Sequence, residues 1–489
     1  MAMKIGQLSF DERVREAVDD TYMVNAVSAA QDGLRDKKLS ATIGDKTLGD
    51  WETWRLAGEE IRRFTIEHLD YYLKQLSERF AEKGGHVFFA KTAEEAQRYV
   101  RKIVRDKKAK YVVKAKSMVT EEISLNEALQ QEGCTVLETD LAEYILQVDH
   151  DRPSHIVVPS VHKERQKIRQ ALQKVGYTGG DRPEDMAAFV RRTLRDQFLH
   201  ADVGITGCNF AVANTGSICL VTNEGNANMV TSFPPTQITV MGMERIVPTW
   251  EELDVLVTLL CRSSVGQRLT TYVTNITPAE QKDTVDSPKE FYLVIVDGGR
   301  SRALGTEFQP ALHCIRCAAC LNVCPVYRHI GGHAYGSIYP GPIGAVLSPI
   351  LGGYKTYGKL PFASSLCAAC TEACPVRIPL HELLIKHRAR LVAGAGKDPF
   401  LERIGMKVFA IGGQSPTLFK TAAKIVPTVL KPIIHHNVIR KGPGPLKPWT
   451  SARDFPAPSK DNFRKWFADH QSRQLGSGTQ GHQEAGEVK

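Results

Sequence analysis

Two short cysteine runs limit what this chain can fold into more than any other feature it has. The first is CIRCAACLNVCP, Cys314 to Pro325, and the second is SSLCAACTEACP, Ser364 to Pro375. Cys314, Cys317, Cys320, Cys324 and Pro325 match C-x2-C-x2-C-x3-C-P, the spacing with which bacterial ferredoxins hold iron–sulfur clusters. Three closely spaced thiolates wrap one face of a cubane. The fourth is drawn away by the longer spacing and the proline, and serves the other cluster. Each run therefore needs the other beside it. Aligned on its Cys-Pro end, the second run offers Ser364, Cys367, Cys370 and Cys374. The pairing that follows puts cluster one on Cys314, Cys317, Cys320 and Cys374. Cluster two falls to Cys324, Cys367 and Cys370, with Ser364 where a fourth thiolate would stand. That corner takes a serine oxygen, water, another side chain or a partner's group; alternatively it is empty and the cluster is 3Fe-4S instead of 4Fe-4S. Zinc is the competing reading, but zinc ribbons use cysteine pairs, not a triplet followed by Cys-Pro.

The other four of the eleven cysteines, Cys134, Cys208, Cys219 and Cys261, stand alone in apolar surroundings and read as small buried side chains. Clustered thiols of this kind belong in a reducing compartment, so the chain reads as cytoplasmic. The N-terminus has no apolar signal core, and no apolar run reaches the ~18 residues of a spanning helix. The net charge of +9 is spread over 489 residues. It reads as a solvated basic surface, not a nucleic-acid groove, since no aromatic–basic interleaving accompanies it.

Length and pattern divide the chain into segments. Residues 1–300 alternate helix and strand after a helical stretch over 11–80. HVFFA (His86 to Ala90), YVVKAKS, CTVLETD and SHIVVPS read as strands, and AEEAQRYVRKIVRDKK as a helix capped by Thr92 with Glu95. That alternation predicts an α/β fold with a parallel sheet covered on both faces. VGITGCNFAVANTGSICLVTN reads as hairpins added to that sheet, EELDVLVTLLC as helix and FYLVIVDGG as one more buried strand. Residues 301–395 form the cysteine-bearing unit, with an insert between the runs rich in aromatic, Gly and Pro residues. A helix after Cys374 is expected to carry His381 and His387 at its surface. Residues 396–470 are Pro-rich and basic, and 471–489 read as a disordered tail. FKTAAKIVPTVLKPIIHHNVIRK (Phe419 to Lys441) is basic and apolar, and fits membrane-surface contact or partner docking, the second being favoured. GGYKTYGKL lacks the Ser or Thr of a P-loop, and GSGTQG lies in the tail; both are chance matches. Nothing marks a flavin or nicotinamide site.

With the cysteine runs in place, other segments become informative. KAKSMVTEEISLNEAL, LETDLAEYILQ, PSVHKE, ITGCNFAVANTGSICLVTNEGN and MERIVPTWEEL resemble the LUD domain of lactate utilization proteins. Over about 1–470 the chain resembles the lactate utilization protein B family. The resemblance implies a three-layer α/β LUD domain akin to the NagB, RpiA (ribose-isomerase) and CoA-transferase group, followed by an α-helical two-cluster ferredoxin-like domain. It also implies the same seven cysteine ligands, so Ser364 is no peculiarity of this chain. It further implies a complex with two sister proteins, one Cys-rich and heterodisulfide-reductase-like and one a lone LUD domain, that oxidises L-lactate to pyruvate and feeds a downstream acceptor.

Two roles remain open at this stage. In the first, the chain is a non-catalytic electron relay. In the second, the LUD region carries a catalytic or ligand pocket at strand ends, with candidates Glu121, Glu122, Glu138, Asp140, Glu143, Lys114, Lys116, His162 and Lys163. The same residues also suit helix caps and surface pairs.

Overall fold

The computed structural model describes residues 6–278, 290–395, 400–444, 446–451, 453–458 and 463–477. The chain forms two compact units, Met1–Gly396 and Lys397–Lys489.

Among the described residues the first unit has ten strands: β1 (His86–Ala90), β2 (Tyr111–Lys114), β3 (Thr135–Glu138), β4 (Val203–Thr206), β5 (Phe210–Val212), β6 (Ser217–Thr222), β7 (Thr236–Gly242), β8 (Ile246–Val247), β9 (Tyr272–Ile276) and β10 (Glu290–Val296). Six of them make one sheet in the order β1-β10-β7-β4-β2-β3. Every neighbouring pair is parallel. The central strands are buried on both faces, as a sheet covered by crossover connections requires. Side chains alternate strictly along them. Ile238, Val240, Val294 and Val296 join Val100, Ile103 and Val104 of the Ala93–Asp106 helix on one face. Met241, Leu293 and Ile295 join the helices Trp51–Glu67, Leu69–Glu82 and Trp250–Ser264 on the other.

The helical N-terminal stretch and the Thr92 cap are as the sequence predicts; Thr92 accepts from the Glu95 amide. Two expectations about the strands are corrected. The hairpins after β4 do not extend the parallel sheet. They form a second, four-stranded sheet in the order β8-β5-β6-β9. Also, SHIVVPS is not a strand. Its backbone curls about the His155 ring, which accepts from the Val157 and Val158 amides at 3.1 and 3.0 Å. Ladder hydrogen bonds are replaced by these local ones.

The cysteine segment shares the hydrophobic core on the Met241 side of the sheet. Its insert folds as the helix Gly341–Gly352 and short turns around it. The helix Leu380–Arg390 follows the second run. His387 is not at its surface, as expected, but fully buried. It stacks on Phe308, bonds Tyr354 Oη through Nδ1 at 2.7 Å, and pairs Nε2 with the Val346 carbonyl at 3.0 Å. His381 is partly buried and bonded to Thr371.

The second unit contains the helices Phe400–Gln414, Pro416–Leu430 and Phe463–Ser477 and a short antiparallel pair, Val438–Ile439 with Phe455–Pro456. Pro427 lies inside the second helix. Residues 471–477, the start of the expected tail, continue the last helix; 478–489, with most of GSGTQG, lie outside the described residues. Among the described residues no helix is long and apolar enough to cross a membrane.

Candidate metal centre

The two cysteine runs adopt the same backbone path. In the first, Arg316 and Ala318 have positive φ, 63° and 64°. In the second, Leu366 and Ala368, at the matching positions, have φ of 56° and 64°. Left-handed backbone costs a non-glycine residue roughly 1–2 kcal/mol, and it turns each loop so that its cysteines face inward. Pro325 then opens a helix at its first position, where no amide hydrogen is needed, and Cys324 becomes the cap residue. This places Cys324 apart from the triplet before it.

Cys314, Cys317 and Cys320 line one small cavity, and the fourth thiol in it is Cys374 of the other run. All four are buried and none is in a disulfide. Burial and then the neighbouring Cys374 push the Cys317 thiol up to about 12; burial does most to push Cys374 up to about 11. Thiols raised in this way hold their protons until a metal centre displaces them. Cys324, Cys367 and Cys370 make the second group. Burial raises the pKa of Cys370 to about 12, and the charges of Cys324 and Cys367 add to the shift. Cys320 feels Cys370 as well, so the two groups adjoin. Cys367 is the one exposed cysteine. Backbone amides donate to sulfur from Arg316 to Cys314, Tyr327 to Cys324 and Ile378 to Cys374, each at 3.4 Å. Such bonds stabilise anionic sulfur and tune cluster potential. The donor set fits two iron–sulfur clusters. Ser364 Oγ accepts from the Leu366 amide at 3.1 Å, the same contact that Cys314 Sγ makes with Arg316.

No local pattern marks the N-terminal helices as the elements that hold these loops. Gln31 donates to the carbonyls of Leu321 and Cys324, Lys38 to Ala373, and Arg55 to Cys374. Arg62, fully buried, donates to the carbonyls of Glu244, Ile246, Leu312 and His313. These side chains add a second layer of donors to the backbone carbonyls around the loops.

A larger cavity, about 410 Å³, lies at the C-terminal ends of the parallel strands. Connections leave β2 toward β3 and leave β4 toward β7, so the topological switch point falls between β2 and β4. Lys116 and Ser117 after β2, Thr206 at the end of β4 and Gly207 after it line the cavity there. A Cβ on Gly207 would meet Ser117 Oγ at 2.7 Å, so glycine lets the two strand ends close up. Of the nine candidate residues, Lys116 and Asp140 line this cavity. Asp140 also caps the helix Leu141–Val148, and Lys116 donates to the Val157 carbonyl. The others are engaged elsewhere. Lys114 pairs with Glu138 at 2.8 Å and Glu121 at 3.1 Å. Glu122 accepts from Arg300 and Tyr339. Glu143 is buried beside Glu138, and burial first, then that charge, push it up to about 8. His162 and Lys163 join Asp151 in a separate network, with Lys163 also on Asp149. Cys134, Cys219 and Cys261 are buried as expected, whereas Cys208 is half-buried and lines the cavity. Arg245, Glu224, Asn226 and Arg316, which sequence reading did not single out, are also among its polar lining. Burial, then Asp140, push Glu224 up to about 7.

Three family descriptions match the chain: LUD domain over 73–296, 4Fe-4S dicluster domain over 310–378, and lactate utilisation protein B, C-terminal, over 384–472. The chain is 61% identical to "Lactate utilization protein B" of Geobacillus sp. (strain WCH70), over 96% of this chain and 99% of that one. It is 59% identical to the protein of the same description from Bacillus velezensis, over 97% and 99%, and 61% identical to that from Anoxybacillus flavithermus, over 96% and 99%. Among solved structures, a DUF162 family protein from Deinococcus radiodurans matches 47% of this chain and 98% of that chain at 14% identity, with a TM-score of 0.27.

Proposed function

The chain belongs to the lactate utilization protein B family, iron–sulfur proteins of lactate utilisation, and we propose on that basis that it is the electron-transfer subunit of a multi-protein complex oxidising L-lactate to pyruvate, which lets lactate serve as a carbon source. One observation carries the reading: thiols from two separated runs converge, with Cys374 completing the cavity of the Cys314 triplet. In this reading Cys314, Cys317, Cys320 and Cys374 hold a 4Fe-4S cluster. Cys324, Cys367 and Cys370 hold the second, with Ser364 at its fourth corner. When bound, the clusters accept and pass single electrons. The chain's residues bury cluster one, donate N–H bonds to its sulfurs, and leave cluster two nearer the surface at Cys367. The chain is then a redox subunit of an L-lactate dehydrogenase-type complex, not a self-sufficient enzyme. Its partners in the proposal are a Cys-rich heterodisulfide-reductase-like protein, a lone LUD-domain protein and a downstream acceptor. Its LUD sheet is assigned to the three-layer NagB, ribose-isomerase and CoA-transferase group. Eleven unpaired cysteines fit a reducing cytoplasm.

The test uses anaerobically reconstituted full chain. Iron and sulfide analysis with spin-resonance spectra reports the clusters, and stopped-flow spectra report their reduction by the sister proteins with L-lactate. Lactate oxidation at useful turnover by the loaded chain alone, with a dye acceptor, would refute the relay-only role.

A second reading is favoured by the 410 Å³ cavity at the switch point, the place where open α/β sheets bind ligands. In it the LUD region holds a small ligand of its own beside the clusters.

A further inference from the structure

The cavity at the switch point touches the cysteine loops directly. Arg316, inside the first run, lines both this cavity and the one formed by Cys314, Cys317, Cys320 and Cys374; Ile156 does the same. Whatever occupies the larger cavity is therefore separated from cluster one by a single layer of side chains.

The charges on that side do not balance. Arg245, Arg300 and Arg316 stand near Glu122 and Glu244. Glu244 accepts from Arg300 at 2.6 Å and from Arg316 at 3.2 Å, and Glu122 accepts from Arg300 at 2.8 Å. Both carboxylates are thereby engaged. Among the described residues Arg245 makes no ion pair; it donates to the carbonyls of Cys314 at 3.0 Å and Cys208 at 3.5 Å and lies over the Phe210 ring. The Arg316 side chain is 9% exposed, and its Nη1 is buried without a hydrogen-bond partner. A buried guanidinium with an unused donor costs free energy unless an acceptor arrives. Asn226, also lining the cavity, has the complementary deficit. Its Nδ2 donates to Thr139 Oγ1 at 3.2 Å, while its buried Oδ1 accepts from nothing. The cavity thus offers an unused cationic donor, Arg316 Nη1, with the unpaired charge of Arg245 beside the cysteine loop, and an unused acceptor elsewhere in its lining.

We propose that this cavity binds a small hydroxycarboxylate, its carboxylate on Arg245 and Arg316 and a hydroxyl for Asn226 Oδ1. The proposal rests on the second reading above, that the LUD region holds a ligand. Arginine suits the carboxylate because its planar fork matches two oxygens. A site built to bond a hydroxyl discriminates against analogues that lack one, because the buried acceptor is otherwise left unpaired. The cavity is larger than a three-carbon acid needs, which leaves room for ordered water.

The experiment titrates cluster-loaded full chain anaerobically with carbon-13-labelled L-lactate, pyruvate and acetate, following binding by NMR line broadening and equilibrium dialysis. L-lactate is expected to bind saturably, at least tenfold tighter than acetate and more tightly than pyruvate. Its resonances should broaden further when the clusters are made paramagnetic by reduction. Arg245→Gln should weaken lactate binding at least tenfold while iron and sulfide content stay unchanged. Should that variant fail to load clusters, Asn226→Ala, distant in sequence from the cysteine runs, takes its place and should lose the preference for lactate over pyruvate. The proposal is overturned by no saturable lactate binding, by equal binding of acetate and lactate, by pyruvate binding as tightly as lactate, or by lactate binding that a folded variant leaves unchanged. In the first of these cases Arg245 and Arg316 only offset cluster charge. Clusters that form and reduce without acid binding sink this site alone. A chain that never loads clusters sinks the relay, while dialysis still reports the site.

Discussion

Ser364 occupies in the second loop the position that Cys314 occupies in the first. Each accepts from the amide two residues on, and each precedes a residue pair in left-handed backbone around the next cysteine. The loops are alike in shape and differ in the atom presented, oxygen in place of sulfur.

Ser364→Cys should therefore give cluster two a full set of thiolates without altering the loop. After mild oxidation, wild-type chain is expected to lose one iron and hold about seven, whereas the variant keeps about eight. Iron analysis and the three-iron spin-resonance signal decide it; an undiminished three-iron signal in the variant counts against the assignment.

Cys374 lies in the second run but lines the first cavity. Cys374→Ala should abolish the spectroscopic signature of cluster one and reduce iron by about half, leaving the signal of the Cys324, Cys367 and Cys370 group. Loss of that second signal alone would mean that each run serves its own cluster.

Arg62 joins the Trp51–Glu67 helix to carbonyls at the β7–β8 turn and just before Cys314. Arg62→Met leaves buried carbonyls unpaired and should destabilise the fold by about 3 kcal/mol or more. The expected readout is a lower denaturant midpoint with an unchanged slope, together with faster cluster loss.

His387 gives a pH dependence with a definite sign. Burial holds its imidazole down at about 4, against an ordinary value of 6.5. A folded pKa below the unfolded one means that the unfolded chain takes the proton first. Stability from the neutral ring is complete above about pH 6.5 and is lost as pH falls toward 4. His387→Gln should be the less stable protein at pH 7.5, with the gap narrowing by pH 5; a gap constant across that range would contradict the assignment.

The elements that could be read from sequence are those fixed by local chemistry. β1 and β10 are short apolar runs with punctuation at both ends. The Ala93–Asp106 helix announces itself through Thr92 and Glu95. Spacing alone anticipates Cys374 beside the Cys314 triplet, because three, three and four residues leave the last thiol pointing away. Contacts across the parallel sheet were not legible. β10 lies between β1 and β7 although about two hundred residues separate it from β1, and no local pattern encodes that. Arg245 follows β7 and Arg316 lies in the cysteine loop after β10, about seventy residues apart in the chain, yet both line one cavity, so nothing near either residue marks it. His387 looked like one more polar residue on an amphipathic helix, and only the neighbouring Phe308 and Tyr354 explain its burial. SHIVVPS has a strand's composition, but His155 Nδ1 supplies one acceptor that two of the segment's own amides take up.

The shared cavity also imposes an order on biosynthesis. A nascent chain that has emerged only as far as the insert displays Cys314, Cys317 and Cys320 but has not yet made the residue that closes their cage. Metal delivered at that moment meets three sulfurs and an open side. On the proposed ligand set, maturation of the first centre waits until translation has passed Cys374, and a scaffold that hands over iron and sulfide acts on a chain whose distal loop has already docked.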